Sequence, residues 1–315
     1  MSTKILVAGA TGALGRRLVP RLLADGHHVA GTTTTAAKTP LLRDLGATPL
    51  VVDLLDADAV ARAVASVEPD VIIHQATALA GSQDLRHFDR DFAQTNRLRT
   101  EGTDHLLAAG YAVGVRRFIA QSFAGWPSAR EGGPVKTEDD PFDPAPAAPM
   151  RRTLDAIRHL EAAVTRATWT EGVVLRYGGF YGPGTSMVSG GEHAELIRRG
   201  RFPIVGDGAG VWSFIHVDDA ADATALAVLH GAPGIYNVVD DDPAPVGEWL
   251  PELARQLGGR PPRRVPRWFG RAVAGEAAVV MMTSVRGASN AKAKRELGWV
   301  PRHPTWRDGV LEAVA

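Results

Sequence analysis

The chain has 315 residues, and its 35 basic side chains are balanced by 35 acidic ones. This balance disfavours nucleic acid and anionic membrane surfaces as partners. The sequence contains no cysteine, which excludes disulfides and thiolate metal sites. The opening run MSTKILVAGATG is too short for a secretion signal or a membrane span. We therefore expect a cytoplasmic protein whose partner is a small molecule.

Short β-branched runs alternate with helix-length segments in the first part of the chain. The runs are KILVAGA, HVAGTT, TPLVVDL, DVIIHQA, RRFIAQS and GVVLRYG. Their continuous apolar character is typical of parallel strands that are covered by helices on both faces. The proline-rich stretch 131–149 interrupts the pattern and is predicted to be a surface loop. The order of elements predicts an α/β fold built on a doubly wound parallel sheet.

The pattern becomes less regular after residue 178. The sequence continues with GGFYGPGTSMVSGG, a helix near 191–200 and the extended run GVWSFIHV. A helix from DDAADATALAVL and a strand GIYNVV are predicted to return to the main sheet. A ligand is expected between two domains, over the carboxyl ends of the strands. The predicted main domain consists of 1–178 and of 214–240, where the chain returns to it. The predicted smaller substrate lobe is formed by 179–213 and 241–315.

The segment VAGATGALGRRL places Gly9, Gly12 and Gly15 after the first strand and at the start of the first helix. Glycine at such positions lets the backbone approach a pyrophosphate, whose charge the helix N-terminus stabilises. A tight turn without a ligand is the alternative interpretation. The position between a strand and a helix favours a dinucleotide site.

Several motifs together carry a resemblance to a known family. The spacing GxxGxxG, with ATG between the first two glycines, resembles the short-chain dehydrogenase/reductase superfamily. The segments DVIIHQATAL, EGTDHLLAAG, VVLRYGGFYGPGT, FIHVDDAADA and SNAKAKRELGWVPRHPTWRDGV are similar, in this order, to its extended branch, the NAD-dependent epimerase/dehydratase family. The resemblance covers essentially the whole chain. It implies a Rossmann-type sheet with a smaller interleaved C-terminal substrate lobe.

The resemblance also implies which residues contact the cofactor. Besides the three glycines, the expected contacts are Thr11, Ala13, Leu14, Asp53, Leu54, Ala76, Thr77, Ala78, Gln121 and Tyr177. For Asp53 the alternative role is a cap for the following helix.

The segment GTTTTAAK after the second predicted strand bears on the choice of cofactor. It lacks the acid that would bind the ribose of NAD. Thr33, Thr34 and Lys38, with the nearby Arg16, are suited to a 2′-phosphate. NADP(H) is therefore favoured and NAD(H) stays possible; the alternative is that the threonines only cap the next helix.

The stretch PMRRTLDAIRHLE, residues 149–161, is predicted to be a helix. In the family that it resembles, this helix carries a tyrosine and, four residues later, a lysine that pass a proton. This stretch contains neither residue type. Alignment by its final LE puts Thr153 and Ile157 at the two positions, and alignment by its proline puts Met150 and Leu154 there. Neither register supplies an acid, so we expect an atypical active site.

Ser122 is expected beside the nicotinamide, where its hydroxyl would hold the reacting oxygen. Candidate proton donors are Tyr181, His193 and, more weakly, Thr153, with Tyr177 and His216 as further possibilities. Structural packing is the alternative for Tyr181, a core position for His216 and a surface position for His193.

The predicted substrate pocket differs from that of relatives that bind sugar nucleotides. Those relatives carry an arginine three residues before hVdD and an asparagine in RPxNxYGP. Trp212 and Gly179 stand at these places here. An indole in place of a cation favours an apolar or aromatic substrate. Further predicted substrate contacts are Trp126, Phe180 and His216.

These observations predict an NAD(P)-binding oxidoreductase or isomerase that acts on a hydrophobic small molecule. A non-catalytic NADP(H)-binding sensor or scaffold is the alternative, and a sugar-nucleotide epimerase/dehydratase is a third possibility. The resemblance also implies a possible homodimer through the helices near 94–110 and 150–166. No metal-ligand cluster is visible, because Asp218 and Asp219 in HVDD are explained by the start of a helix.

Overall fold

The apolar runs of the sequence form strands in the computed structural model, which describes residues 2–79, 85–187 and 191–308. In chain order the strands are β1 (Lys4–Ala8), β2 (His28–Thr33), β3 (Thr48–Val51), β4 (Val71–His74), β5 (Arg117–Phe123), β6 (Val135–Lys136), β7 (Glu171–Tyr177), β8 (Gly179–Tyr181), β9 (Ile204–Val205), β10 (Val211–Trp212), β11 (Phe214–His216), β12 (Gly234–Val238), β13 (Ala244–Pro245), β14 (Arg264–Val265) and β15 (Gly287–Ala288).

Helices occupy most of the segments between the strands. In chain order they are α1 (Ala13–Ala24), α2 (Thr39–Asp44), α3 (Ala57–Val67), α4 (Phe88–Asp91), α5 (Ala93–Arg97), α6 (Thr103–Val113), α7 (Arg151–Arg166), α8 (Glu192–Arg198), α9 (Val217–Leu226), α10 (Val246–Gln256), α11 (Arg267–Thr283) and α12 (Ala291–Leu297). Single 3-10 turns are Ala36–Lys38, Leu85–His87 and Ala148–Met150, and Leu98–Gly102 forms a π-helical turn.

The main sheet has seven parallel strands in the order β12-β7-β5-β4-β1-β2-β3. Ile5 at the centre pairs with Val29 on one side and Val71 on the other. Strand order reverses between β1 and β4, where an open parallel sheet offers a crevice for ligands at the carboxyl ends of its strands. The predicted doubly wound parallel sheet is thereby confirmed.

Both faces of this sheet are covered, because alternate side chains of each strand point to opposite faces. Ile5 and Val7 pack against the face that is covered by α1 and α9. Leu6 and Ala8 pack against the other face, with apolar side chains of α3, α6 and α7. This double cover explains the continuous apolar runs in the sequence.

Among the described residues, two further clusters with more than three buried members lie outside the main sheet. One joins side chains of β8, β11 and α10 and includes Tyr181, Phe214, Trp249 and Trp306. The other, which we call the inter-lobe cluster, joins side chains of α4, α7 and α11 with the loop after β5. Its buried members are Phe88, Trp126, Ala147, Met150, Leu154, Ile157, Ala277, Met281 and Val285.

The long predicted loop 131–149 contains a short strand, because β6 pairs in parallel with β15 near the C-terminus. Within the described residues, no helix combines the length and the apolar character that crossing a bilayer would require.

Candidate active site

The glycine-rich turn after β1 has two glycines that the fold itself requires. Gly9 has a φ of +87°, and a Cβ there would lie 2.7 Å from the Cα of Ala76. A Cβ on Gly15 would lie 2.5 Å from the carbonyl oxygen of Ala10. Gly12 differs, because its Cβ would meet only the carbonyl oxygen of Gly9, at 3.4 Å. Gly12 therefore keeps an open face, which lets a ligand approach the backbone.

The N-terminus of α1 completes a cradle for a pyrophosphate. Gly12 is its N-cap without any side-chain cap, and the first turn, with Ala13 and Leu14, contains no acid. The first N–H groups of the helix therefore suit an anion. Arg16 is exposed, and its Nε donates to the carbonyl of Thr11 at 2.9 Å, which holds the guanidinium beside the turn. These residues fit the phosphates of a dinucleotide.

The end of β2 supplies exposed polar groups and no acid. Thr33 is buried and its hydroxyl lies 3.4 Å from the N–H of Thr35, whereas Thr34 and Lys38 are exposed. Thr35 precedes the next short helix without a side-chain cap. The geometry therefore does not support helix capping as the reason for these threonines.

The segment after β3, an edge strand of the sheet, carries two acids, Asp53 and Asp56. Asp56, and not Asp53, caps α3, with Oδ1 accepting from the N–H of Ala59 at 3.0 Å. Asp53 is exposed and bonds locally to the N–H of Leu55. Leu54 is buried, and its carbonyl accepts from His105 at 2.9 Å. The capping role considered for Asp53 is thus taken by its neighbour.

The segment after β4 contributes Ala76 and Thr77, which are half-buried, and Ala78, which is exposed. The N–H of Ala78 donates to the hydroxyl of Thr95 at 3.0 Å. Gln121, at the end of β5, is half-buried. All four residues therefore lie at the carboxyl edge of the sheet where the crevice is expected.

Ser122 belongs to a buried ionic network. Its Oγ donates to Oε1 of Glu161 at 2.6 Å. Arg176 donates to both oxygens of the same carboxylate, at 2.8 and 2.7 Å. All three side chains are at most 5% exposed. The hydroxyl proton of Ser122 is therefore directed at Glu161, and the expected hydrogen bond from Ser122 to a substrate oxygen has no support in this geometry.

Sequence reasoning missed Glu161 and Arg176 as site residues. The available signals were an acid between the apolar Leu160 and Val164 of the helix and an arginine inside the apolar strand VVLRYG. Buried charges of this kind are rare unless they are paired.

Thr153 is held by the start of its own helix. Its Oγ1 donates to Oδ1 of Asp89 at 2.7 Å and accepts from Nδ2 of Asn96 at 3.0 Å. The backbone N–H groups of Arg152 and Thr153 donate to the same carboxylate, at 3.0 and 2.9 Å. Asp89 thus caps α7 from outside, and Thr153 takes part in this cap. The geometry gives it a structural role in place of the expected proton donation.

The other candidate positions on α7 are apolar and buried. Met150, Leu154 and Ile157 are each at most 2% exposed and belong to the inter-lobe cluster. Trp126 lies in the same cluster, with its ring centroid 5.5 Å from that of Phe88. In the register set by the proline both positions are therefore apolar, and in the register set by LE the second position, Ile157, is apolar.

Trp212 packs against both the inter-lobe cluster and the cluster that contains Trp249. Its Nε1 donates to the carbonyl of Met281 at 2.8 Å, and its ring lies 5.1 Å from that of Trp249. Phe180 is half-buried, with its ring 5.4 Å from that of Tyr177. Trp212, which stands where sugar-nucleotide relatives carry an arginine, is thus part of a mostly buried group of aromatic rings.

Tyr177, at the end of β7, is 1% exposed and belongs to the apolar core on one face of the sheet. Its hydroxyl lies 2.6 Å from the hydroxyl of Thr224 and accepts from Gln75 at 3.2 Å. Burial raises the pKa of Tyr177 far above its usual value. These contacts favour a packing role for Tyr177 over the cofactor contact and proton donation expected of it.

Tyr181 and His216 also have structural partners. Tyr181 is 1% exposed, and its hydroxyl donates to the carbonyl of Thr305 at 3.4 Å. Nδ1 of His216 accepts from the N–H of Asp218 at 3.2 Å and so caps α9, and its ring stacks on that of His303 at 3.8 Å. The structural alternatives fit both residues better than the substrate and catalytic roles expected of them.

His193 lies on α8 and is half-buried. Its Nδ1 lies 2.8 Å from the hydroxyl of Ser186. Burial lowers the pKa of His193, which favours the neutral ring. Nothing in these contacts joins it to Ser122 or to the glycine turn.

Comparison with known proteins adds the decisive observation. Residues 5–238 match the NAD dependent epimerase/dehydratase family. The chain belongs to this family. It is therefore an NAD-binding Rossmann protein of the oxidoreductase type, and the resemblance of its motifs is confirmed.

Two characterised relatives are reductases. The chain is 44% identical over 308 residues to the 3-diazoavenalumate denitrifying reductase of a Streptomyces species, covering 98% of this chain and 99% of that protein. It is 31% identical over 268 residues to the 2-alkyl-3-oxoalkanoate reductase of Stenotrophomonas maltophilia, covering 81% and 76%. The UDP-glucose 4-epimerase of Thermus thermophilus in complex with NAD is 26% identical, with a TM-score of 0.72 over 98% of this chain and 97% of that one.

Proposed function

We propose that this protein is an NAD(P)H-dependent reductase that replaces the diazo group of an aromatic substrate by hydrogen. The face of α7 carries the proposal, because it presents Ile157 and a cap-bound Thr153 where family members donate a proton. The 44% identity to a denitrifying reductase of a diazo compound supports it.

The chemistry of a diazo substrate explains why no tyrosine is needed. Reduction of a carbonyl leaves an alkoxide that must be protonated, and a positioned acid is the usual source. In an arene diazonium, hydride forms a C–H bond at the carbon that carries the nitrogen. The C–N bond breaks, and its electron pair leaves with neutral N2. The balance is one diazonium and one NAD(P)H converted into one arene C–H, one N2 and one NAD(P)+. No alkoxide is formed on the substrate.

The residues of the chain would then bind, orient and exclude water. When bound, the nicotinamide supplies the hydride. The glycine turn with Gly12 would hold the pyrophosphate, and the inter-lobe cluster would provide an apolar environment for the aromatic ring. Trp126 belongs to this cluster and the half-buried Trp212 packs against it, and both rings suit an aromatic partner.

We further propose that NADP(H) is the preferred cofactor. Thr34 and Lys38 are exposed after β2, Arg16 is held beside the turn, and residues 33–38 include no acid. A 2′-phosphate would gain charge-assisted hydrogen bonds there. Lys38→Glu should weaken binding of NADPH by about tenfold or more and leave binding of NADH nearly unchanged, as measured by calorimetric titration.

Two other functions make different predictions. A sensor or scaffold would bind the cofactor without turnover. A sugar-nucleotide epimerase would bind UDP-glucose, which the aromatic surroundings of Trp212 disfavour.

The test is turnover of 3-diazoavenalumate by the purified protein with NADPH that carries deuterium on one face of C4. The expected result is release of one N2 per NADPH oxidised, with deuterium at the carbon that carried nitrogen. Gly12→Val should abolish this reaction, and reaction without protein gives the background. Cofactor binding without N2 release from any diazo substrate would favour a sensor and contradict the proposal.

The variant Thr153→Val separates this mechanism from one that uses Thr153 as the acid. It removes the hydroxyl that is bonded to Asp89 and retains the shape of the side chain. We expect kcat to change less than threefold. A loss of kcat by a hundredfold with intact cofactor binding would assign the acid to Thr153.

A further inference from the structure

Arg99 is a buried cation for which the protein supplies no partner. It lies in the π-helical turn between α5 and α6 and is 4% exposed. In the described part of the chain it makes no hydrogen bond or ion pair, and its Nη1 is fully buried without a partner. Arg97, two residues earlier, is exposed and pairs with Glu101 at 2.8 Å. Arg97 thus has a hydrogen-bonded acid partner, which the side chain of Arg99 lacks in the described part of the chain.

The charges around Arg99 leave an excess of one positive charge. Glu161 is the acid within its electrostatic reach, and this carboxylate already accepts hydrogen bonds from Ser122 and Arg176. His74, the other titratable neighbour, is neutral, because burial lowers its pKa to about 4. Burial lowers the pKa of Arg99 only to about 10, so it stays charged at neutral pH. Two buried cations therefore share one buried carboxylate.

Other polar atoms without partners lie in the same region. Among the described residues, nine buried side-chain atoms lack a hydrogen bond, and five belong to the end of β4 or to residues 96–103. These five are His74 Nδ1, Gln75 Oε1, Asn96 Oδ1, Arg99 Nη1 and Thr103 Oγ1. A ligand or its bound water is the usual partner of such groups.

This region borders the predicted crevice. The turn that holds Arg99 packs against α7, and Thr95 in the preceding helix bonds to Ala78 after β4. Leu98, next to Arg99, accepts from Nε2 of His74 at 3.1 Å. Arg99 thus lies between the carboxyl end of β4 and the network of Ser122. π-Helical turns often occur at functional sites.

We propose that Arg99 binds an anionic oxygen of the ligand, either the carboxylate of the substrate or a phosphate of the cofactor. A planar guanidinium pairs with a carboxylate or phosphate through two parallel hydrogen bonds. The glycine turn and the N-terminus of α1 already suit the phosphates, so the substrate carboxylate is the source that we expect. The inference rests on the proposed function and adds that the substrate is an anion as well as aromatic.

The test compares Arg99→Met with the matched control Arg97→Met. Calorimetry on the NADP+-saturated protein measures binding of cinnamate and of methyl cinnamate, which differ in the carboxylate charge. Wild type and Arg97→Met should bind cinnamate at least tenfold more tightly than the ester, and Arg99→Met should bind both equally. Arg99→Lys should retain part of the preference.

Two further measurements decide whether the anion belongs to the substrate or to the cofactor, and whether Arg99 serves binding or stability. If Arg99→Met weakens binding of NADPH tenfold and leaves the preference for cinnamate over its methyl ester unchanged, the anion is a cofactor phosphate. Urea unfolding of the cofactor-free protein should show Arg99→Met at least as stable as wild type, because it removes a buried charge without a partner.

The proposal is overturned if Arg99→Met unfolds at lower urea than wild type. It is also overturned if wild type does not distinguish cinnamate from its ester and the variant binds NADPH like wild type. These readouts require no turnover, so they remain separate from the diazo assay.

Discussion

Glu161 shows how one buried carboxylate organises the candidate active site at the level of residues. It accepts from Ser122 and from two nitrogens of Arg176, and the guanidinium of Arg176 also lies 5.0 Å from the ring centre of Phe142. Buried ion pairs add little net stability when they are compared with apolar substitutes, but loss of one partner is costly. The network therefore fixes the end of β5 against α7.

We expect Ser122→Ala to act on stability more than on catalysis. It removes one hydrogen bond to a buried charged group, which costs about 1.5–3 kcal/mol. The free energy of unfolding in urea should fall by this amount, and kcat should fall less than tenfold. Glu161→Ala should cost about 3–5 kcal/mol, because Arg176 is left unpaired.

Ser66→Ala, at an exposed position in the last turn of α3, is a suitable control for these two variants. An unchanged unfolding free energy for Ser122→Ala, together with a hundredfold lower kcat, would return Ser122 to the role of substrate anchor.

At the scale of secondary-structure elements, the glycine turn between β1 and α1 combines requirements of the fold with those of a ligand. Its three glycines serve different purposes, although they look alike in the sequence. Gly9 and Gly15 lie against the backbone of Ala76 and Ala10, whereas Gly12 adopts an extended backbone, with φ −72° and ψ 174°, that any residue tolerates. One of the three is thus free to serve the ligand alone.

Gly12→Ala and Gly15→Ala should therefore fail in different ways. Gly12→Ala should unfold within about 1 kcal/mol of wild type and bind NADPH at least tenfold more weakly, by calorimetry. Gly15→Ala should be strongly destabilised, because its Cβ would lie 2.5 Å from the carbonyl oxygen of Ala10. Equal NADPH affinity in Gly12→Ala and wild type would contradict the assignment of the cradle.

At the scale of the whole molecule, Asp240 joins the main sheet to the C-terminal segment. It follows β12, its N–H donates to the carbonyl of Phe214 at 2.7 Å, and its Oδ2 accepts from the N–H of Trp306 at 3.0 Å. Burial raises the pKa of Asp240 to about 8. The folded protein therefore holds a proton there at pH values where the unfolded chain, with a pKa of about 3.9, has released it.

This difference makes stability depend on pH. Between about pH 4 and pH 8 the folded state binds more protons at Asp240, so the free energy of unfolding should fall as pH rises. The slope from this group is at most about 1.4 kcal/mol per pH unit. Asp240→Asn should flatten the profile between pH 5 and 8 in urea unfolding. The control Asp155→Asn changes an exposed acid that is paired with Arg158 and is not among the groups that raise the pKa of Asp240, so it should keep the slope. Identical profiles for Asp240→Asn and wild type would contradict this explanation.

Local patterns in the sequence determined the parallel sheet, the glycine turn, the helix over 151–166 and the lack of a tyrosine and a lysine on it. These features depend on periodicity and residue type within a few positions, and both can be read from neighbouring residues. Only the tertiary structure paired Ser122 with Glu161, bound Thr153 to Asp89 and turned Tyr177 into the core.

The tertiary structure also decided which polar residues are left for a ligand. Considered as isolated side chains, Ser122 and Thr153 suited catalytic roles. In the fold, each hydroxyl donates a hydrogen bond to an acid that lies far away in the sequence. Arg99 carries no signal in its neighbourhood, since Arg97 has the same charge and similar surroundings in the sequence. Burial and hydrogen bonding depend on segments that meet only after folding. The function of a polar residue is therefore decided by the partners that the fold gives to it or withholds from it.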